Sequence, residues 1–216
     1  ELTEQLARST FLDMFGDPGN NPKEWKVKTV KDIAKFVTDG THHTPIRSQS
    51  GILLLSARNI KNGYIDTSEN LDFIKNNEYE RLSKRYKPKP QDLLISCSGS
   101  VGRVTVVRDF ELFSIVRSVA VIRPKTELIE PEFLESLFHT AYLRASMKRG
   151  AKKSSQANLF QEAIKELPVL LPPLELQKQW KKIKLNIAKI KKYHQQTQTV
   201  NDNLFNSLLQ RAFKGE

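Results

Sequence analysis

The 41 residues from Leu174 to Lys214 contain neither Gly nor Pro. No other feature constrains the fold as strongly, because the two residues that most readily end helices are missing. As one helix the segment would extend roughly 60 Å. Within it Trp180, Ile183, Ile187, Ile190, His194, Thr197, Asn201, Leu204 and Leu208 keep a 3-4 spacing, which is a coiled-coil seam with apolar ends and a polar middle. A single helix cannot bury such a stripe alone, so the spacing predicts a partner helix. Trp180, Ile183, Ile187, Ile190, Leu204 and Leu208 are the expected pairing residues.

The same segment dominates the electrostatics. From Leu174 to the last residue there are nine Lys and Arg against three Asp and Glu, so a fifth of the chain holds more than half of the net +11. Lys178, Lys181, Lys182, Lys184, Lys189, Lys191 and Lys192 read most simply as a solvated coiled-coil face. Facing DNA, they would add sequence-independent, salt-dependent affinity. The chain as a whole, 216 residues with 38% hydrophobic and 27% charged, has a globular composition. Its lone Cys97 excludes an intrachain disulfide framework and suggests a reducing, cytoplasmic compartment. No apolar run approaches the ~20 residues of a membrane span.

Upstream, residues 1–15 read as the end of an amphipathic helix, with Leu2, Leu6, Phe11 and Phe15 on one face and Gly16-Asp17-Pro18 as its stop. Between Trp25 and Pro173 short β-type runs alternate with turns. Ile52–Leu55, Leu93–Ser96, 101–107 and 114–122 are expected strands, and Lys87-Pro88-Lys89-Pro90 is a loop. Residues 131–148 read as one helix and 157–166 as a short second one. The fold class expected is α+β: a mixed-sheet domain followed by a long coiled-coil-forming helix. The two ends also resemble each other, since Leu6, Ser9 and Phe15 align without gaps on Leu204, Ser207 and Phe213. They read as copies of one helix terminus flanking a single domain.

Catalytic signatures are missing. There is no glycine-rich phosphate loop, no Asn/Asp-Pro-Pro-aromatic motif and no G-x-S-x-G elbow; Gly99-Ser100-Val101-Gly102 is a turn between strands. Asp17, Glu24 and Lys26 could be read as a nuclease set, Cys97 with His139 as nucleophile and base, and His42-His43 with Asp39 as metal ligands. Each has a simpler structural explanation, and no catalytic or metal site is expected.

Contact with nucleic acid is better supported. Arg144, Lys148, Arg149, Lys152 and Lys153 follow one another without an acid among them, and the last of them opens a loop containing Ser154, Ser155 and Gln156. Cations neutralise phosphates, hydroxyls bind phosphate oxygens, and an amide can pair an adenine edge. Thr41, His42 and His43 in a polar turn, and Arg58, Asn59 and Lys61 before Asn62-Gly63, are further candidates. Solvated turns and a solvated basic loop are the bland alternatives.

The ordered set is more specific than its parts. Trp25 is followed by Asp39-Gly40-Thr41…Thr44-Pro45, Ile52-Leu53-Leu54-Leu55…Asn59-Ile60 and Pro90-Gln91-Asp92-Leu93-Leu94-Ile95-Ser96…Gly99-Ser100-Val101-Gly102. Asn158-Leu159…Ile164…Leu167-Pro168-Val169 and Pro172-Pro173-Leu174-Glu175-Leu176-Gln177 complete it, with helix-end sequences at 14–18 and 208–216. This resembles the specificity subunit of type I restriction-modification systems over nearly the whole chain. The resemblance implies the end of a spacer helix at 1–16, a DNA target-recognition domain at 17–173 and a spacer helix at 174–216. It implies a non-catalytic, sequence-specific DNA-binding subunit that reads one half of a bipartite target in double-stranded DNA. Its partners would be modification and restriction subunits, with S-adenosylmethionine on the modification subunit and no cofactor in this chain. Family members carry two domains and two helices, whereas this chain has one of each. It reads as a half-subunit that pairs through the long helix or as a fragment, and the start at Glu1 without Met favours a fragment. The alternatives are a nuclease or methyltransferase fragment and a coiled-coil adaptor.

Overall fold

The computed structural model describes residues 2–41, 43–84, 86–108, 112–152 and 158–214. Helix α1 (Leu2–Phe15) ends at Gly16 and leads to strand β1 (Lys26–Thr29), the one-turn helix α2 (Val30–Ile33) and strand β2 (Ala34–Asp39). Short strands β3 (Arg47–Ser48), β4 (Ile52–Leu55) and β5 (Asp72–Ile74) precede helix α3 (Asn76–Ser83). Then come β6 (Leu93–Ser96), β7 (Val104–Val106), β8 (Phe113–Ile115) and β9 (Val119–Pro124). Helices α4 (Pro131–Phe138), α5 (Ala141–Lys152) and α6 (Gln161–Lys165), strand β10 (Pro168–Leu171) and helix α7 (Leu174–Lys214) complete the chain.

The central sheet has the antiparallel order β2-β9-β6-β7. Successive side chains on a strand face opposite ways, and here both faces are covered. Leu93 and Ile95 point with Ala120 and Ile122 into a core shared with Phe133, Leu137 and Trp180. Leu94 points with Val119 and Val121 into a second core built by Leu55, Phe113 and Ile115. That double burial is why β6 and β9 read as continuous apolar runs and not as alternating ones. Strands β3-β5-β4-β8 form the covering sheet, with β4 and β8 parallel, so the domain is layered helices, sheet, sheet. Strands β1 and β10 form a two-stranded ribbon that brings the domain entrance beside the start of α7.

Three expectations need correction. The helix expected over 131–148 is two helices. Thr140 interrupts it: its hydroxyl donates to the Leu137 carbonyl at 2.7 Å and accepts the Leu143 N–H at 3.4 Å, giving the backbone a local alternative to helix. The strand expected over 114–122 is β8 and β9 joined by a tight turn, with the Val119 N–H bonded to the Val116 carbonyl at 2.9 Å. The strand expected over 101–107 begins only at Val104, because Gly102 still belongs to the preceding turn and bonds back to the Ser96 carbonyl.

Helix α7 spans 41 residues, but its seam has two fates. Trp180, expected to pair helices, is sealed in the domain core at 1% exposure and is unavailable to a second chain. It meets Phe11 and Phe15 of α1 at ring-centroid distances of 5.2 and 6.4 Å and donates its indole N–H to Ser136 Oγ at 3.0 Å. Helix α1 runs antiparallel beside it, and Lys191 reaches Glu4 at 2.6 Å. Ile183 and Ile187 are half-buried, while Ile190, level with the start of α1, and Leu204 and Leu208, farther along α7, are exposed.

A charged joint ties α7 to the domain. Glu135 of α4 has no exposed surface and accepts the Val106 N–H at 2.8 Å, Arg108 at 2.5 Å and Lys184 of α7 at 2.5 Å. Burial opposes the charge of Glu135, but the Lys184 and Arg108 cations outweigh it and hold the carboxyl at about 2. Neighbouring His139 places Nε2 3.0 Å from the Val104 carbonyl oxygen, so that nitrogen carries the proton of the neutral ring. Burial lowers the His139 pKa to about 4, partly opposed by Glu135. A histidine with a folded pKa below its unfolded value of about 6.5 is protonated first in the unfolded chain. Its neutral form therefore stabilises the fold above about pH 6.5, and this contribution is lost as pH falls toward about 4. Urea melts across that window should show the loss in wild type and a flatter profile in His139→Gln; equal profiles would remove His139 as the cause.

Candidate nucleic-acid interface

Strands β2, β4, β6 and β8 all end at one rim. Asp39 at the end of β2 and Ser96 at the end of β6 pair with Ala120 and Val119 at the start of β9, and Leu55 ends level with Ile115. Turn residues then lock together across the strands. The Gly40 N–H bonds to the Val119 carbonyl at 3.0 Å, the Cys97 N–H to Ser118 at 2.8 Å and the Arg117 N–H to Thr41 at 3.2 Å. Ser118 Oγ accepts the Ala57 N–H at 3.0 Å. Gly40 is required there, since a Cβ would lie 2.4 Å from the Ile115 and Val116 backbone.

This rim collects the segments that the sequence separates. Thr41 is half-buried and donates to the His43 carbonyl at 3.2 Å, while the His43 side chain is exposed. A hollow of about 240 Å³ opens beside them, lined also by Arg81, Tyr86 and Ser114. Arg58 and Lys61 follow β4 but are matched by acids, Arg58 with Asp72 at 2.7 Å and Lys61 with Asp66 at 3.3 Å. Asn59, expected to contact DNA, is buried at 3% exposure and occupied as a local cap. Its Oδ1 accepts the Ser56 N–H and hydroxyl, and its Nδ2 donates to the Asp66 carbonyl, which leaves no edge for a base. Arg149 is exposed on α5 and bonds Ser146 at 2.8 Å. Lys152 ends α5. His42, Lys153, Ser154, Ser155 and Gln156 lie outside the described residues. On either side of the last four, Ala151 enters the core and the Leu159 N–H bonds to the Cys97 carbonyl at 2.9 Å.

The rim also carries a cation that sequence reasoning passed over. Arg117, in the β8–β9 turn, is exposed and has no ion pair among the described residues. Its only sequence signal was a basic residue inside a run read as one continuous strand. The rejected chemistries are placed as well. Burial pushes the Cys97 thiol up to about 12, so little thiolate forms near neutrality. Asp17 is engaged with the Gly19 N–H at 2.8 Å, and among the described residues no His, Cys, Asp and Glu cluster could hold a metal ion. No helix among them is long and apolar enough to cross a membrane.

Known proteins share this fold. The chain is 27% identical over 172 residues to the type I restriction enzyme EcoBI specificity subunit of Escherichia coli, a match covering 78% of this chain and 36% of that subunit. A solved structure from work on complex assembly and conformational transition of the type I R-M system superposes with a TM-score of 0.65 at 18% identity, covering 98% of this chain and 51% of the other. The HsdS subunit from Thermoanaerobacter tengcongensis superposes with a TM-score of 0.57, also at 18% identity, over 88% of this chain and 45% of that one. At these identities the superpositions establish the fold. The chain spans between about a third and a half of the length of these relatives. A family model described as type I restriction modification DNA specificity domain matches residues 22–201, which takes in both the layered domain and about two thirds of α7, and the chain belongs to that family.

Proposed function

We propose that this chain is a non-catalytic specificity module that reads one half of a bipartite target in double-stranded DNA, in the cytoplasm, and places modification and restriction subunits on it. Residues 17–173 act as the reader. Residues 1–16 and 174–216 belong to the spacer, and the exposed Ile190, Leu204 and Leu208 pair with a helix of a second copy or a second half-subunit. S-adenosylmethionine is carried by the modification partner, and this chain holds no cofactor. The observation that carries the reading is the convergence of the turns at 39–41, 56–57 and 116–118, with Leu159 bonded to Cys97, on one rim of the central sheet. A rim of short polar loops on a rigid sheet suits base-edge readout, and a stiff helix suits spacing two readers.

The test is selection from a randomised duplex library, with the chain alone and with a modification subunit. One short half-site is expected in both, with light scattering detecting two paired copies or halves in the assembled complex. Retention without sequence preference at any salt would favour a coiled-coil adaptor instead. Turnover of DNA by the isolated chain with Mg²⁺ or S-adenosylmethionine would favour an enzyme.

A further inference from the structure

The turn between β6 and β7 borders a cleft that joins two cations of the expected basic run, Arg144 and Lys148, to Arg103, which the sequence did not single out. It is open to solvent, has a volume of about 180 Å³ and is lined by Asn62, Ser100, Arg103, Arg144 and Lys148 with the Val101-Gly102 backbone. Three cations from two distant parts of the sequence converge there, and no Asp or Glu among the described residues lines it. Arg103, Arg144 and Lys148 have no ion pair among the described residues, unlike Arg58 and Lys61 at the rim. Arg144 and Lys148 are one turn apart on α5, where like charges repel unless an anion lies between them.

The turn adds neutral donors. Gly99 has φ +65°, and a Cβ there would meet nothing within 4 Å, so the backbone is bare on that side. The N–H groups of Ser98, Gly99 and Ser100 have no acceptor among the described residues. Turns of this kind present successive N–H groups to anions. The buried Ser96 hydroxyl holds the turn in place, donating to the Ser100 carbonyl at 2.5 Å and accepting the Arg103 N–H at 2.9 Å. Cys97, at the base of the same turn, is bonded to Ser118 of the rim, so the turn beside the cleft and the rim are tied together.

We infer that the cleft is a seat for a backbone phosphate of the bound duplex, gripped by Arg103, Arg144 and Lys148 while the rim loops read bases. This rests on the proposed DNA-reading function and divides its labour. An open cleft with two exposed cations and one half-buried one suits a phosphodiester on a long polyanion better than an enclosed free phosphate. Such a contact sets register and affinity and carries no sequence information of its own.

The experiment measures binding of the full chain to its selected duplex and to a scrambled duplex between about 50 and 200 mM salt. In the Arg103→Ala, Arg144→Ala, Lys148→Ala triple variant both affinities should fall by the same factor, about tenfold or more. The slope of log affinity against log salt should become shallower by about 1 or more, with the ratio between duplexes unchanged. A control removes equal charge at the opposite end of the central sheet, Lys31→Ala, Lys125→Ala and Lys165→Ala, and should keep the slope. If the triple variant does not fold, Arg144→Gln with Lys148→Gln, both exposed, gives the same readout. An unchanged slope overturns the seat alone, as does an equal loss in the control. A collapsed ratio makes the cleft a base-reading site, and saturable binding of inorganic phosphate alone makes it a free-phosphate site; either overturns the proposal. Wild type that binds neither duplex overturns the DNA-reading function with it.

Discussion

Replacing Glu135 with Ala is expected to destabilise the fold by about 3–5 kcal/mol, the range for removing one partner of a buried ion pair. The carboxylate has no exposed surface, and both its oxygens are used by Val106, Arg108 and Lys184. Without it the Arg108 and Lys184 side chains, 33% and 20% exposed, lose the carboxylate that lies between them. Burial already lowers the pKa of Lys184, so the variant should drive this lysine toward its neutral form. Urea melts give the measurement, and a change under about 0.5 kcal/mol would place the joint among ordinary surface contacts. A partial recovery is expected from Glu135→Ala combined with Lys184→Met, because Met fills most of the lysine volume without the orphaned charge. Failure of the double variant to recover anything would assign the loss to the Val106 N–H and to packing. The joint matters for geometry as well as stability: Lys184 is one of few side chains through which α7 enters the domain polar network. Gln177 is another, accepting the Glu130 N–H at 2.9 Å and donating to the Pro172 carbonyl at 2.8 Å.

Trp180→Ala is expected to cost about 3–5 kcal/mol, the range for emptying a buried aromatic site. For a chain of this size that corresponds to a melting temperature lower by roughly 10 °C. Trp180 is where α1, α4 and α7 meet: its ring lies against Phe11 and Phe15, and Phe133 packs on both of those at 5.6 and 4.7 Å. Removing it leaves a void between two terminal helices and the domain, and Ser136 Oγ loses the indole donor. Ile190→Ala is the control within the same seam; at 56% exposure it should change stability by under about 0.5 kcal/mol. Equal losses in the two variants would mean that the whole seam is buried in solution by a second helix.

These two residues mark how far the sequence could be read. The 3-4 spacing of Trp180, Ile183, Ile187 and Ile190 announces a helix with an apolar stripe, but spacing does not say what covers it. Trp180 turned out to be covered by α1, a helix 165 residues earlier, taking Phe15 as its end. Strands β4 and β6 were legible from their Ile and Leu runs. Thr140 was not legible as a helix break, because a Thr interrupts a helix only when its hydroxyl finds the local carbonyl. Asn59 looked like a base-reading amide for the same reason in reverse: composition cannot show that Ser56 and Asp66 already occupy it.

By itself the sequence determined what depends on neighbours along the chain: the Gly- and Pro-free length of α7, the basic excess near it, the strand runs and the ordered motifs of a DNA specificity domain. Periodicity and composition are local properties, and they survive without knowledge of distant contacts. Only the tertiary structure decided which cations are spent in ion pairs and which stay open. Lys184 disappears into Glu135, Arg58 and Lys61 meet acids, and Arg103, Arg117, Arg144 and Lys148 are left unmatched among the described residues. The physical reason is that a charge is neutralised by whatever the fold brings within a few ångströms, and that neighbour is usually far away in sequence. The basic helix was legible in the sequence, and the sheet rim with its adjoining cleft is one place where the fold leaves positive charge open.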